Sequence, residues 1–467
     1  MILLYQKGGI LDRRRLLLAL ACAAQFIVVL DVSVVNVALP SISASLGLDE
    51  TVLPWVVNAY ALVFAGFLLM GGRLADVIGR RRAFLAGLAL FCVASLVGGT
   101  AVEPGALIAA RAVQGLGAAV LAPATLTLLT TTFPEGNDRT RALAIWAAVG
   151  MAGGTAGNLA GGVLTEYLSW RATLLINVPI GVVAAPLALS LLARDRASTA
   201  ARLDVPGALT ATAGLITLTY GITQLRDADS LAVAAAFAGL TLLALFAAHE
   251  ARHSDAALIP VRLFRLRAVS AGNVVLLLAG ACLNPMWYFL SLAMQELLHY
   301  GPLATGLGFL PHTLVSILLG VNVVPRLMRH VGTRALIATG ASISAAGFGW
   351  QSLLTPDSGY VLGLLGPGIL IAIGGGLLNT PITTVVTSGV AAEDAGAASG
   401  LMNTTKQVGG AVGLAAVAAA TATADRAPEA LAAAYGHAFL LMTGLMLATA
   451  LATAMLPRTE RTEAVAS

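Results

Sequence analysis

Apolar runs of about twenty residues, separated by short polar or basic stretches, recur from one end of the chain to the other. The first, Leu16 to Leu39, reads LLLALACAAQFIVVLDVSVVNVAL. As a helix it covers roughly 36 Å, enough to cross a bilayer with some tilt. Reading each run in this way predicts fourteen spanning helices, near 16–39, 53–72, 83–101, 105–130, 142–164, 173–192, 205–225, 231–248, 268–291, 304–325, 335–354, 360–387, 396–420 and 435–456. An even count puts both termini on one side of the membrane. The order suggests an N-terminal six-helix bundle over 1–192, two additional helices and an inner linker over 193–267, and a C-terminal six-helix bundle over 268–467. Repeated halves of this kind are a habit of transporters.

Composition supports the membrane reading. The chain is 58% hydrophobic and only 11% charged over 467 residues, whereas soluble domains carry about 25% charged residues. A water-soluble protein of this length could not bury so much apolar surface. Fifty glycines suit closely packed membrane helices. Cys22, Cys92 and Cys282 all fall in apolar runs, so no disulfide framework is expected. The first apolar run is too long for a cleavable signal peptide, and no small-residue cleavage site follows it.

Charge supplies the orientation. With the N-terminus inside, cytoplasmic segments hold 22 Lys or Arg and external loops hold three, Arg171, Arg226 and Arg426. This is a positive-inside bias, and it places both termini in the cytoplasm. The net charge of +4 therefore marks topology, and nucleic-acid binding drops out. Arginine outnumbers lysine 25 to 2, which with the wealth of Ala and Gly suggests a GC-rich bacterial genome and hence a bacterial cytoplasmic membrane. The linker segment IPVRLFRLR reads either as a stretch lying on the inner leaflet or as ordinary inside-positive charge.

The motifs narrow the picture. GGRLADVIGRRRAF, Gly71 to Phe84, sets two glycines, an aspartate and an arginine cluster between two spans. Glycine permits a tight turn, and Asp76 can pair with arginines or cap a helix N-terminus. This loop resembles the signature of the major facilitator superfamily, as does LIAARAVQGLGAA, Leu107 to Ala119. LDVSVVNVALP, WRATLLINVPIG and SGLMNTTKQVGGAVG look like marks of its fourteen-helix drug:proton antiporter branch. The resemblance runs from about residue 16 to 456. It implies the major facilitator fold, two six-helix bundles plus two extra central helices, and an inner gate latched by Gly72, Asp76, Gly79 and Arg80. The fifth span departs from that pattern: where drug antiporters carry a Gly-Pro pair, this chain has GNLAGG, with Asn158 in place of proline. No proline kink is expected there, while Gly153, Gly157, Gly161 and Gly162 keep a flat face for close helix contact. The family ties antiport direction to this motif.

Three charged or polar positions lie deep in the spans. An ionised Asp31 in its apolar run is costly and so faces protein or a wet cavity. Counting from the outer ends puts Asp31 on the first span and Arg111 on the fourth at the same depth, roughly 12 Å in. The resemblance makes those helices neighbours, so the two side chains are expected to interact. They form either a proton-coupling pair or a static pair that fixes helix packing. Gln114 shares the Arg111 face at i, i+3 and is a further candidate to line the cavity. Lys406 stands near mid-membrane in the thirteenth span, with Asn403, Gln407 and Gly410 on its face, as cavity lining, interhelix bonding or a coupling residue. Phe26, Trp55, Tyr60, Trp146, Trp287 and Tyr288 are candidates to line a lipophilic-ligand cavity or to anchor at the interface. His312, after Pro311, reads best as a hydrogen-bonded structural histidine.

The sequence holds no metal cluster, nucleophile triad or phosphate-binding loop; GGRLADVIGRR lacks the Lys-Ser/Thr of a P-loop, which argues against an ATP-driven pump. The chain is not expected to be an enzyme or to need a cofactor, and a proton gradient is the expected energy source. The expectation is proton-coupled efflux of small lipophilic drugs or antibiotics by alternating access, with protons and membrane lipids as further partners and no obligate protein partner evident. Alternatives are a specific metabolite transporter of the same fold, or a non-transporting sensor or scaffold.

Overall fold

The computed structural model describes residues 2–134, 136–192, 203–225, 230–252, 258–391, 394–423 and 425–457; the side chains of 2–12, Asp76 and Val261 lie outside that description. Arg194, Arg196, Arg202, Arg226, Arg458 and Arg461, counted above for orientation, also fall outside it. All fourteen expected spans are helical. They are α1 (Ile2–Leu46), α2 (Trp55–Ile78), α3 (Arg80–Gly99), α4 (Pro104–Thr132), α5 (Asn137–Tyr167), α6 (Trp170–Leu191), α7 (Val205–Gln224), α8 (Ser230–Arg252), α9 (Arg267–Leu297), α10 (Pro302–His330), α11 (Thr333–Gln351), α12 (Val361–Thr387), α13 (Ala395–Thr421) and α14 (Pro428–Met455).

Twelve of these are long and apolar enough to cross a membrane. The other two, α11 and α13, have the length but carry more polar residues; Asn403 to Gln407 form an unbroken polar stretch in α13. Many helices outrun their apolar cores. Hydropathy registers only the membrane-length middle, while polar helix formers at the ends continue the backbone ladder into water. The loop expected over Gly71 to Phe84 is the plainest correction. Helix α2 continues through Asp76 to Ile78, α3 starts at Arg80, and the connection is Gly79 alone. Its backbone, at φ 90° and ψ 145°, lies where a side chain would be strained.

Proline and glycine punctuate the rods as their chemistry predicts. Pro104 and Pro428 stand in the first turns of α4 and α14, where no N–H is needed. Pro285 restarts α9 immediately after Asn284. Single π-helical turns interrupt α9 at Ala293–Leu297, α10 at Leu319–Val323 and the start of α12 at Val361–Leu365.

The chain forms two compact units. One holds residues 1–218, 237–249 and 300–307; the other holds 219–236, 250–299 and 308–467. In the first, α1 packs along α5, α4 lies between α2 and α3, and α3 meets α6. The second repeats these pairings eight helices later: α9 with α13, α12 with α10 and α11, and α11 with α14. Within the second unit the IPVRLFRLR segment makes a short turn, Val261–Arg265. Leu263 is buried, Phe264 is exposed, and Arg262 clasps the Asp394 carboxylate through two hydrogen bonds of 2.7 Å.

Candidate functional site

Asp31 is fully buried, at 0% exposure, and so is Arg111 at 2%. Backbone contact puts them there. On α5, Gly153, Gly157 and Gly161 repeat every fourth residue; on α1, Phe26, Leu30 and Val34 do the same. A Cβ on these glycines would stand 3.1 Å from Phe26 O, 2.7 Å from Leu30 O and 2.8 Å from Val34 O respectively. Because α5 carries no side chain on this face, the two helices touch along the stretch that holds Asp31. Helix α4 is seated similarly. Gly115 faces the Tyr60 carbonyl of α2, and a Cβ on Gly117 would lie 2.6 Å from the Phe91 nitrogen of α3.

The side chains then close a polar cluster inside an apolar bundle. Arg111 Nη1 donates to Asp31 Oδ2 at 2.5 Å and to Gln114 Oε1 at 2.7 Å, while its Nε donates to the Val56 carbonyl at 3.1 Å. Gln114 Nε2 donates to Asp31 Oδ1 at 2.6 Å, and Asn177 Nδ2 donates to the same oxygen at 2.8 Å. Ser95 Oγ accepts from both amides, at 2.8 and 2.9 Å, and donates to the Leu174 carbonyl at 3.1 Å. The guanidinium also lies over the Tyr60 ring, 4.6 Å from its centroid. Helices α1, α4 and α6 thus meet at one carboxylate, and α2 and α3 join the cluster through Arg111 and the two amides. Ionised, Asp31 accepts from three donors, which is how a buried charge is tolerated.

Several candidate residues take other places. Tyr60 and Gln114, candidates for cavity lining, are buried at 2% and 1% and belong to the Asp31 cluster. Gln114 is drawn there because it shares the Arg111 face; Tyr60 supplies the ring beneath the guanidinium. Trp146 and Phe26 are half-buried beside the core of the first unit, and Trp146 Nε1 donates to Thr125 Oγ1 at 3.1 Å. Trp55 is half-buried at the start of α2. Asn158 is buried in an uninterrupted α5 and its carbonyl faces Gly306, while Gly162 packs against the Pro302 carbonyl. Gly72 is half-buried near Pro123, Arg80 is exposed, and the Asp76 side chain lies outside the described residues.

In the second unit Trp287 meets Phe309 and His312 edge-on, at centroid distances of 5.2 and 4.9 Å, and Tyr288 is buried. His312 Nδ1 is 3.0 Å from the Gly368 carbonyl. Asn403 is exposed and bonds the Ser399 carbonyl of its own helix. Lys406 and Gln407 are half-buried.

Sequence reasoning missed Ser95 and Asn177. Asn177 stands inside WRATLLINVPIG, where its amide could have been counted as a polar group in an apolar span. Ser95 gave no signal, since a lone serine in a helix ordinarily bonds its own backbone.

Fourteen long helices in two units with the same internal pairing, twelve of them apolar enough to cross a membrane, define a multi-pass membrane protein. A family model described as Major Facilitator Superfamily matches residues 21–414, and the chain belongs to that superfamily. It is 55% identical over 450 residues to a cephamycin export protein of Amycolatopsis lactamdurans, covering 95% of this chain and 93% of that protein. It is 41% identical over 404 residues to a puromycin resistance protein of Streptomyces alboniger, covering 85% and 80% of the two chains. A tetracenomycin C resistance and export protein of Streptomyces glaucescens is 32% identical, with 85% and 74% covered. Among solved structures, the POT family transporter PepTSo shares the fold with a TM-score of 0.70 at 14% identity, over 95% of this chain and 97% of that one.

Proposed function

We propose that this transporter exports small lipophilic antibiotics across a bacterial cytoplasmic membrane in exchange for protons, by alternating access. The export and resistance proteins it resembles support the substrate class. The 22-to-3 distribution of basic residues supports cytoplasmic termini.

The observation that carries proton coupling is the Asp31 cluster. Its carboxylate ties α1 to α4 through Arg111 and Gln114 and to α6 through Asn177. In the proposed cycle a proton entering from outside neutralises Asp31. Arg111 then keeps its bonds to Gln114 Oε1 and the Val56 carbonyl but loses the charge that anchors it to α1. The helices are freed to rearrange, and loss of the proton to the cytoplasm restores the clasp. A static packing pair would need the same geometry but no titration.

Replacing Asp31 with Asn separates the two, because an amide fills the same space and retains a carbonyl acceptor but cannot take up the proton. In inverted membrane vesicles with an imposed pH gradient, wild-type protein should concentrate an antibiotic substrate, and Asp31→Asn should abolish that uptake while leaving expression and folding intact. Gradient-driven uptake by Asp31→Asn equal to wild type would reject the coupling role.

A further inference from the structure

The second unit holds a cation in mid-helix that the Asp31 cluster does not use. Lys406 stands in the polar stretch of α13, and no described residue pairs with its ammonium or hydrogen-bonds to it. The ion pairs described in this unit, Arg262–Asp394 and Arg426–Glu296, both lie towards helix ends. An ammonium removed from water without a counter-charge is costly, so its charge calls for an anion from elsewhere. The side chain is half-buried, so an approaching group can reach it.

Amide groups lie beside Lys406, and an aromatic cluster stands about one turn further along α9. Helices α9 and α13 touch at the backbone, since Gly280 faces the Lys406 carbonyl and a Cβ on Gly413 would lie 2.8 Å from the Ala281 carbonyl carbon. Asn284 Nδ2 fills the notch at Gly410 and reaches the Lys406 carbonyl and Gln407 Oε1, each at 3.4 Å. Gln407 therefore accepts through Oε1, and its own NH2 donors have no partner among the described residues. Three residues beyond Asn284 on the same face of α9 stands the half-buried Trp287, held edge-on by Phe309 and His312. On the neighbouring α12, Gly375 leaves room: a Cβ there would come no closer than 4.0 Å to Asn379 Nδ2 and Leu283 Cδ2.

We propose that Lys406, with the Gln407 amide beside it, binds the carboxylate of an amphiphilic organic anion whose apolar body lies against Trp287. An ammonium on a flexible stem pairs with a carboxylate as a point charge and tolerates varied approach angles, unlike the fixed fork of arginine. The bound anion supplies the charge that the protein withholds, and the contact is a charge-assisted hydrogen bond. This assignment rests on the export reading and narrows its substrate class to compounds bearing a negative charge.

The test uses the full-length protein in nanodiscs, with a cephem monocarboxylate and the methyl ester of the same compound as probes. Binding is followed by calorimetry, and gradient-driven uptake by inverted vesicles is measured in parallel. Wild-type protein should bind the acid at least tenfold more tightly than the ester. Lys406→Gln should lose that preference, and Lys406→Arg should keep most of it; melting temperatures of both variants confirm that they fold. Trp287→Leu should weaken acid and ester together. Equal binding of acid and ester by wild type, or a preference that survives Lys406→Gln, overturns the assignment. Lys406-dependent binding of the acid without uptake of either probe supports the site while counting against export. Uptake of both probes with no dependence on Lys406 does the reverse.

Discussion

Arg111 and Lys406 are both cations within long helices, in two units built on the same helix pairing, yet they are accommodated in opposite ways. Arg111 is enclosed by an aspartate, a glutamine, a backbone carbonyl and a tyrosine ring. Lys406 has amide neighbours and, among the described residues, no carboxylate partner. The residue at a similar distance from the C-terminal end of the equivalent helix shows the contrast: α1 carries Asp31, and α9 carries Asn284. The π-helical turns follow the same division. They interrupt α9, α10 and α12 of the second unit, and no described helix of the first unit contains one. Such turns frequently accompany functional sites. One unit meets its cation's charge internally, whereas the other leaves its cation open to a ligand.

The largest expected effect would break this contrast if it failed. Arg111→Met leaves the Asp31 charge buried without its counter-ion, at a cost of about 3–5 kcal/mol, while Lys406→Met orphans no charge and should leave stability unchanged or raise it. Thermal unfolding in detergent measures both, and equal losses would dissolve the distinction. Next, Asn177→Ala removes a hydrogen bond to a charged acceptor, worth about 1.5–3 kcal/mol. It should lower the melting temperature and alter the pH dependence of transport, whereas a purely packing role would change stability alone.

Gly157→Ala places a methyl group 2.7 Å from the Leu30 carbonyl oxygen and Ser33 Cβ. Forcing α1 away from α5 should cost about 1–3 kcal/mol. Gly375→Ala meets nothing closer than 4.0 Å and should be close to neutral in stability. The smallest effect lies at the Val261–Arg265 turn of the second unit. Hydrogen bonding and charge from Arg262 hold the Asp394 carboxyl below the usual carboxylate range. Its contribution is therefore present above the ordinary aspartate value and lost as pH falls through the lowered one. The melting temperature of wild type should fall more steeply with acidification below about pH 4 than that of Arg262→Ala.

Much of the architecture was legible in the chain because a bilayer imposes one rule on every span: a membrane-length apolar helix with its backbone bonds closed. Helix ends were less legible. At Gly79 the polar residues on either side form helices as readily in water as the apolar residues do in lipid, so hydropathy placed a loop where a single glycine turns the chain. At the site, equal depth and the helix neighbours implied by the family resemblance paired Asp31 with Arg111, while Gln114, on the Arg111 face, read as a cavity candidate. Ser95 and Asn177 escaped because their helices' rotation towards Asp31 is not encoded in local periodicity.

The sequence by itself determined the number of helices, the membrane as their solvent, the cost of a carboxylate at Asp31 and the glycine ladder that allows α5 to approach it. Each follows from local composition and the 3.6-residue period. Only the tertiary structure decided which charges are matched. Hydrogen bonds form over a few ångströms between residues as far apart in the chain as Asp31 and Asn177, and that proximity depends on how each helix is rotated and how closely its neighbours pack. The same packing clasps Arg111 against a carboxylate and leaves Lys406 beside amides.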